Sequence, residues 1–192
     1  EKAIEYFDKA LKLEPEDMRI WYQRALCLKK LGRKEEALVS FQEALKINPT
    51  FTKALFEKSD ILISLGNLNE ALSTLDILLD KEPANHRAFY RRAWIRLQKK
   101  EFEAALKDIE NALKYEKKEE YLELKKEICK SLRDTQCVIN ISREILSINK
   151  KNVGAWRDLA QSYLEMGKID SAIAKYKEAL EILPENKVLL YD

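Results

Sequence analysis

The side chains best equipped for chemistry gather in one segment, His86–Lys100. It carries Arg87, Arg91, Arg92, Arg96, Lys99 and Lys100 without an acid, and interleaves Phe89, Tyr90 and Trp94. Arg87 and Arg91 are four apart, hence on one helical face, where two guanidinium forks can converge on one carboxylate or phosphate. Tyr90 and Trp94 would add a flat apolar wall, the sort of anchor that dominates peptide affinity. The chemistry is recognition of an acidic, apolar-anchored segment; a solvated charged face with packing aromatics is the alternative. Catalysis finds no comparable support. His86 is the one histidine, no Ser or Cys has a paired base, and there is neither a glycine-rich phosphate loop nor a ligand cluster. No catalytic residue, cofactor or metal is expected. Cys27, Cys129 and Cys137 form no Cys-x-x-Cys pair. Their odd number suits the reduced thiols of a cytosol better than a disulfide framework, and they read as small apolar fillers.

The elements that position these groups must be helices. Of 192 residues, 35% are charged and only 4 are Gly and 4 Pro, too few turn formers for a multi-stranded sheet. The apolar fraction of 46% suffices for a continuous core. The chain also repeats. Pro15, Pro49 and Pro83 are 34 residues apart, as are Ala3, Ala37, Ala71 and Ala105, and Gly32 and Gly66. Trp21 and Trp156 are 135 apart, one short of four periods, so one residue is missing between Lys117 and Val138. Each unit reads as two helices. From Met18, an apolar stripe of Trp21, Leu28 and Leu31 runs with the small Ala25 between, until Gly32 ends the helix. Ala37, Phe41, Ala44 and Ile47 stripe the second, stopped by Asn48-Pro49. Small residues at Ala25, Ser59, Ala93 and Ala160, and at Ala37, Ala71, Ala105 and Ala172, would let antiparallel helices approach closely. Trp21, Leu55, Phe89 and Trp156 would fill the gap between neighbouring units. One pair cannot bury its own apolar face, so neighbours must stack.

These residues resemble the tetratricopeptide repeat. The fit is closest in 153–186, where Trp156, Leu159, Ala160, Tyr163, Gly167, Ala172, Tyr176, Ala179 and Pro184 all fall where the family pattern asks. The resemblance implies an all-α fold, a right-handed superhelix of stacked antiparallel helix pairs. The segmentation is a single array: a lone second helix in 1–17, repeats at 18–51, 52–85, 86–119, 120–152 and 153–186, and the start of a further helix from Lys187. Repeat 120–152 is degenerate. It lacks the turn glycine and the proline, puts Lys126 and Glu127 where a small residue belongs, and has Ser142 in place of an aromatic. The lone second helix at the start and the apolar Val188-Leu189-Leu190-Tyr191 at the end read as continuing in both directions. A chain that begins at Glu1 leaves a targeting signal unassessable.

The resemblance also implies a function: a non-enzymatic scaffold whose first helices line a concave groove for a partner peptide or helix. By phase the candidate groove residues are Arg19, Tyr22, Phe56, Arg87, Tyr90, Arg91 and Trp94. The basic pair is similar to one part of the two-carboxylate clamp by which some family members hold acidic chaperone tails. The rest of that clamp falls on Tyr22, Leu26 and Glu57, which argues against it. The ladder Arg24, Lys58, Arg92 and Lys126 reads as stems lying over apolar surface. A net charge of +2, from 35 basic and 33 acidic residues, argues against a phosphate-backbone binder, so no nucleic acid is expected. No apolar run reaches the roughly 20 residues of a membrane span. The expected partner is another protein, in the cytoplasm, with self-association through the array ends a further possibility. A regulatory or substrate-docking arm of an enzyme beyond this chain is the alternative function, and an RNA-binding helical repeat a more remote one.

Overall fold

A computed structural model describes residues 1–184 and 186. The described residues form eleven α-helices: α1 Lys2–Leu13, α2 Met18–Lys30, α3 Lys34–Ile47, α4 Thr52–Ser64, α5 Leu68–Lys81, α6 His86–Gln98, α7 Phe102–Tyr115, α8 Glu119–Ser131, α9 Thr135–Ile148, α10 Val153–Glu165 and α11 Ile169–Ile182. The helix expected from Lys187, with Leu189 and Leu190, lies outside the described residues.

The chain divides into two compact units, Glu1–Ile95 and Arg96–Asp192. In the N-terminal unit α1 to α5 pack in sequence, each on the next. One core cluster there gathers Ile4, Ala25, Leu28, Ala37, Phe41, Ala54 and Ile61. A second gathers Leu55, Phe56, Leu62, Leu75, Leu78 and Ile95. In the C-terminal unit α7 to α11 do the same, around Leu122, Ile139, Ile145, Trp156, Leu159 and Tyr163. The small residues expected at close helix crossings, Ala25, Ser59, Ala93 and Ala160, are fully buried.

All five helix-to-helix turns within pairs have one geometry. After α2, the Arg33 amide donates to the Leu28 carbonyl at 3.0 Å and that of Gly32 to Lys29 at 3.0 Å, the paired bonds of a Schellman turn. The same two bonds follow α4, α6, α8 and α10. The turn needs a left-handed residue, and Gly32, Gly66 and Gly167 supply it at φ 77°, 77° and 70°. Lys100 (φ 61°) and Arg133 (φ 57°) take that conformation in the other two. The degenerate repeat thus keeps its hairpin without its glycine.

The missing residue lies in the α7–α8 connection. Residues 116–118 join these helices, whereas four residues join α3 to α4, α5 to α6 and α9 to α10. This one-residue slip corrects the cation ladder: the helical position of Arg92 recurs at Lys125, and Lys126 falls in the small-residue phase of Ala93. Lys126 is 2% exposed there, its ammonium 2.7 Å from Glu123 and 3.0 Å from Asp158. In the same repeat Tyr121, in the phase of Ala54, Ala88 and Ala155, is 1% exposed, while Ser142 stands in the phase of Phe41. Large and small have exchanged places.

The cysteine expectation needs correcting. Cys129 and Cys137 form a disulfide, and only Cys27 is a free thiol. The Asp134 amide donates to the Cys129 carbonyl at 3.0 Å, and Asp134 in turn caps α9 by accepting from the Cys137 amide at 2.9 Å. The Schellman turn therefore brings the end of α8 against the first turn of α9, with the two Cα atoms 5.9 Å apart. A spacing of eight shows this only once the turn is known. The cysteine argument for a reducing compartment goes with it.

Candidate functional site

The face of the N-terminal unit built by α2, α4 and α6 carries two hollows. One, of about 250 Å³, is lined by Tyr22, Lys53, Phe56, Glu57, Glu82 and Arg87, among others. The other, of about 380 Å³, is lined by Lys29, Asp60, Ile63, Tyr90, Arg91 and Trp94 with Ser64. Side chains of α2, α4 and α6 meet here because each first helix keeps its buried stripe in the same phase, leaving the adjacent phase outward. Six of the seven candidate residues, Tyr22, Phe56, Arg87, Tyr90, Arg91 and Trp94, line these two hollows.

Arg19 stands apart. Its guanidinium grips Asp17 through Nε at 3.1 Å and Nη2 at 2.8 Å, while Asp17 caps α2 through the Arg19 amide at 2.8 Å. It lines a separate concavity with Pro15, Ile47 and Asn48. An N-cap aspartate two residues upstream captures the side chain that phase alone would aim at the groove. The Arg19 hydrogen bond holds the Asp17 carboxyl below the usual carboxylate range.

The two arginines of the basic pair have different fates. Arg91 donates Nε to Asp60 Oδ1 at 2.7 Å. Asp60 is also 3.9 Å from Lys29, whose ammonium reaches Glu57 at 2.6 Å, so a chain of alternating charge runs Glu57–Lys29–Asp60–Arg91 across three helices. Arg87 instead lies over the Phe56 ring, 4.3 Å from its centroid, and has no ion pair among the described residues. The rings of Tyr22 and Phe51 stand 5.0 Å apart near this end. Burial, and then Glu57, push the Tyr22 phenol upward. The acid-free look of His86–Lys100 is deceptive for the same reason: Arg92 pairs with Asp76 at 2.6 Å and Arg96 with the buried Asp108 at 2.7 Å. The acids sit on the neighbouring second helices, 16 residues before or 12 after.

Among the described residues no group of three or more His, Cys, Asp or Glu is placed to hold a metal ion, and no helix is long and apolar enough to cross a membrane. His86 is half-buried at the start of α6.

Stacked helix pairs whose first helices carry these hollows define an all-α solenoid of the kind that serves as a protein–protein interaction scaffold. Tetratricopeptide-repeat profiles match residues 1–17, 19–51, 56–119 and 153–186. The chain belongs to the tetratricopeptide-repeat family, whose members are typically non-catalytic scaffolds. Its described fold is similar to that of the MamA protein (TM-score 0.81, 18% identity, 87% of this chain and 92% of that one). It is equally similar to YrrB, "a TPR protein with an unusual peptide-binding site" (TM-score 0.81, 16% identity, 96% of each chain). A tetratricopeptide repeat protein from Parabacteroides merdae matches at a TM-score of 0.73 and 20% identity, over 93% of this chain and 71% of that one. Among curated sequences, the uncharacterized protein MJ0572 of Methanocaldococcus jannaschii is 54% identical over 37 residues. That match covers 19% of this chain and 43% of the relative, less than half its length.

Proposed function

We propose that the N-terminal unit binds an extended segment of a partner protein along the face of α2, α4 and α6, and that the chain is a scaffold without catalytic activity of its own. Apolar side chains of the partner fill the hollow beside Tyr22 and Phe56 and that beside Tyr90 and Trp94, while an acidic group meets Arg87. The observation that carries this reading is the state of Arg87. Its guanidinium carbon lies over the Phe56 ring with no carboxylate partner among the described residues, so its donors remain for an incoming acid. Arg91, by contrast, is already committed to Asp60 and shapes the floor rather than reading the ligand. YrrB, a protein of the same fold, has a peptide-binding site, which agrees in kind. Glu57 and Asp60 on the same face disfavour a strongly acidic peptide, so one carboxylate among apolar anchors is the expected motif.

The test is selection of peptides from a displayed random library on the 192-residue chain, then affinity measurement by fluorescence anisotropy. Selected peptides should share an acidic residue beside aromatic or aliphatic anchors, and should bind Arg87→Ala and Trp94→Ala at least about tenfold more weakly. Equal affinity for both variants would remove the site from this face.

A further inference from the structure

A ladder of charge between second helices and the first helices that follow them breaks at two rungs, and beside the second break lies a further hollow. Asp8 pairs with Arg24 at 2.7 Å, Asp76 with Arg92 at 2.6 Å, and Glu110 with Lys125 at 3.0 Å. In each, an acid on a second helix meets a cation on the following first helix. Gln42 has no charge at its rung, and Lys58 turns to Glu70 at 2.8 Å instead. The next rung, in the C-terminal unit, holds Arg143 on α9 and Leu159 on α10. The acid has become a cation and its partner an aliphatic.

Arg143 has no carboxylate partner among the described residues; it donates to the Tyr163 hydroxyl. Beside it lies a hollow of about 330 Å³ between α9, α10 and α11. Leu146, Trp156 and Leu159 give it an apolar floor, with Ile182 at its side. The Trp156 indole N–H is spent on the Lys150 carbonyl at 2.9 Å, which leaves the hollow only the ring. Three cations line it: Arg143, Lys150 and Lys175. Glu178 neutralises Lys175 at 2.7 Å, but Lys150 has no acid among the described residues. An apolar cup therefore carries two uncompensated positive charges.

We propose that this hollow takes the C-terminal residue of a partner polypeptide, its apolar side chain on Trp156 and Leu159 and its carboxylate on Arg143 and Lys150. The volume is near the lower end for ligand pockets and suits one large residue. Charge and shape favour a chain terminus over an internal acid. A terminal Leu or Phe presents a carboxylate and an apolar body from one Cα, whereas an internal Asp or Glu brings the charge without the body. This site is separate from the α2–α4–α6 face and stands or falls independently of it.

The probe is an acetylated Gly-Ser-Gly-Ser-Leu peptide with a free terminal carboxylate, titrated into the 192-residue chain and followed by the Trp156 indole N–H resonance. The expected result is a saturable shift of that resonance. The same peptide with an amidated terminus, and the Arg143→Gln/Lys150→Gln variant with the acid form, should each bind at least about tenfold more weakly. Arg87→Ala should leave the titration unchanged, and circular dichroism should show both variants folded. Equal binding of acid and amide, or an unaltered affinity in the double variant, would overturn the site. Octanoate binding as well as the peptide would overturn the chain terminus as its occupant.

Discussion

Arg87 and Arg91 share a helix and a face, yet their neighbours give them opposite roles. Arg91 faces Asp60, and Arg87 faces Phe56. Arg91→Ala is therefore expected to lower stability slightly, by up to about 1 kcal/mol, because the pair is only partly shielded from water. Arg87→Ala should leave the urea midpoint nearly unchanged while weakening peptide binding. Lys126 presents the converse case, a cation fully inside. Its stem fills a position that elsewhere holds alanine or serine, and its ammonium holds Glu123 and Asp158 together. Lys126→Met keeps most of the stem and removes the charge. It should cost about 2 kcal/mol, since two carboxylates lose their common cation while Lys130 compensates only Asp158, at 2.6 Å. Urea unfolding of the variant checks this; an unchanged midpoint would mean that Lys126 is dispensable to the irregular repeat.

At the scale of the element, the Schellman turn is the constant and its sequence the variable. Lys100 and Arg133 occupy a left-handed conformation that costs an L-residue roughly 1–2 kcal/mol. Lys100→Gly and Arg133→Gly should each raise stability by about 1 kcal/mol, part of the relief being lost to the greater freedom of glycine in the unfolded chain. The reverse change, Gly32→Ala, should cost about as much, all of it from the strained backbone, because beyond its chain neighbours an added Cβ meets nothing within 4 Å. The Cys129–Cys137 link closes a short loop, for which chain entropy predicts about 2–3 kcal/mol of stabilisation. Alkylation of the denatured, unreduced chain should label one thiol, Cys27, and all three after reduction; reduction should also lower the melting temperature. The α8 start is tied to the α9–α10 connection by Glu119, which accepts from Asn149 and from Asn152, both at 2.9 Å. The Asn152 bond, then that of Asn149, holds the Glu119 carboxyl below its ordinary value. A depressed folded pKa contributes stability above the unfolded value, about 4.3, that is lost as pH falls through the folded one. The gap in urea midpoint between the parent chain and Glu119→Gln should therefore close as pH is lowered from 6 to 3, and a gap constant across that range would contradict the linkage.

For the whole chain, what the sequence made legible was whatever repeats. The 34-residue period located the helices, the small residues and the outward phase, because each is set by local backbone geometry and by nearest neighbours. What escaped it depends on side chains choosing among neighbours: Arg19 turning to its own cap, Arg91 to Asp60, and Lys125 rather than Lys126 completing a ladder after a one-residue slip. The disulfide escaped for a related reason, since its two cysteines meet through a turn and not through a helical register. The same neighbour choice decides how the chain treats nucleic acid. Net charge is only +2, and the six cations of His86–Lys100 include Arg91, Arg92, Arg96 and Lys99, each paired with an acid. A phosphate backbone would have to break these pairs before releasing any counterions of its own, so the usual gain from polycation binding is largely cancelled. A labelled single-stranded oligouridylate should accordingly show no binding at about 0.15 M salt, and only weak binding as salt is lowered. Tight association with a steep salt slope would show that the acids yield their arginines to phosphate, and would make the face of α6 a nucleic-acid surface after all.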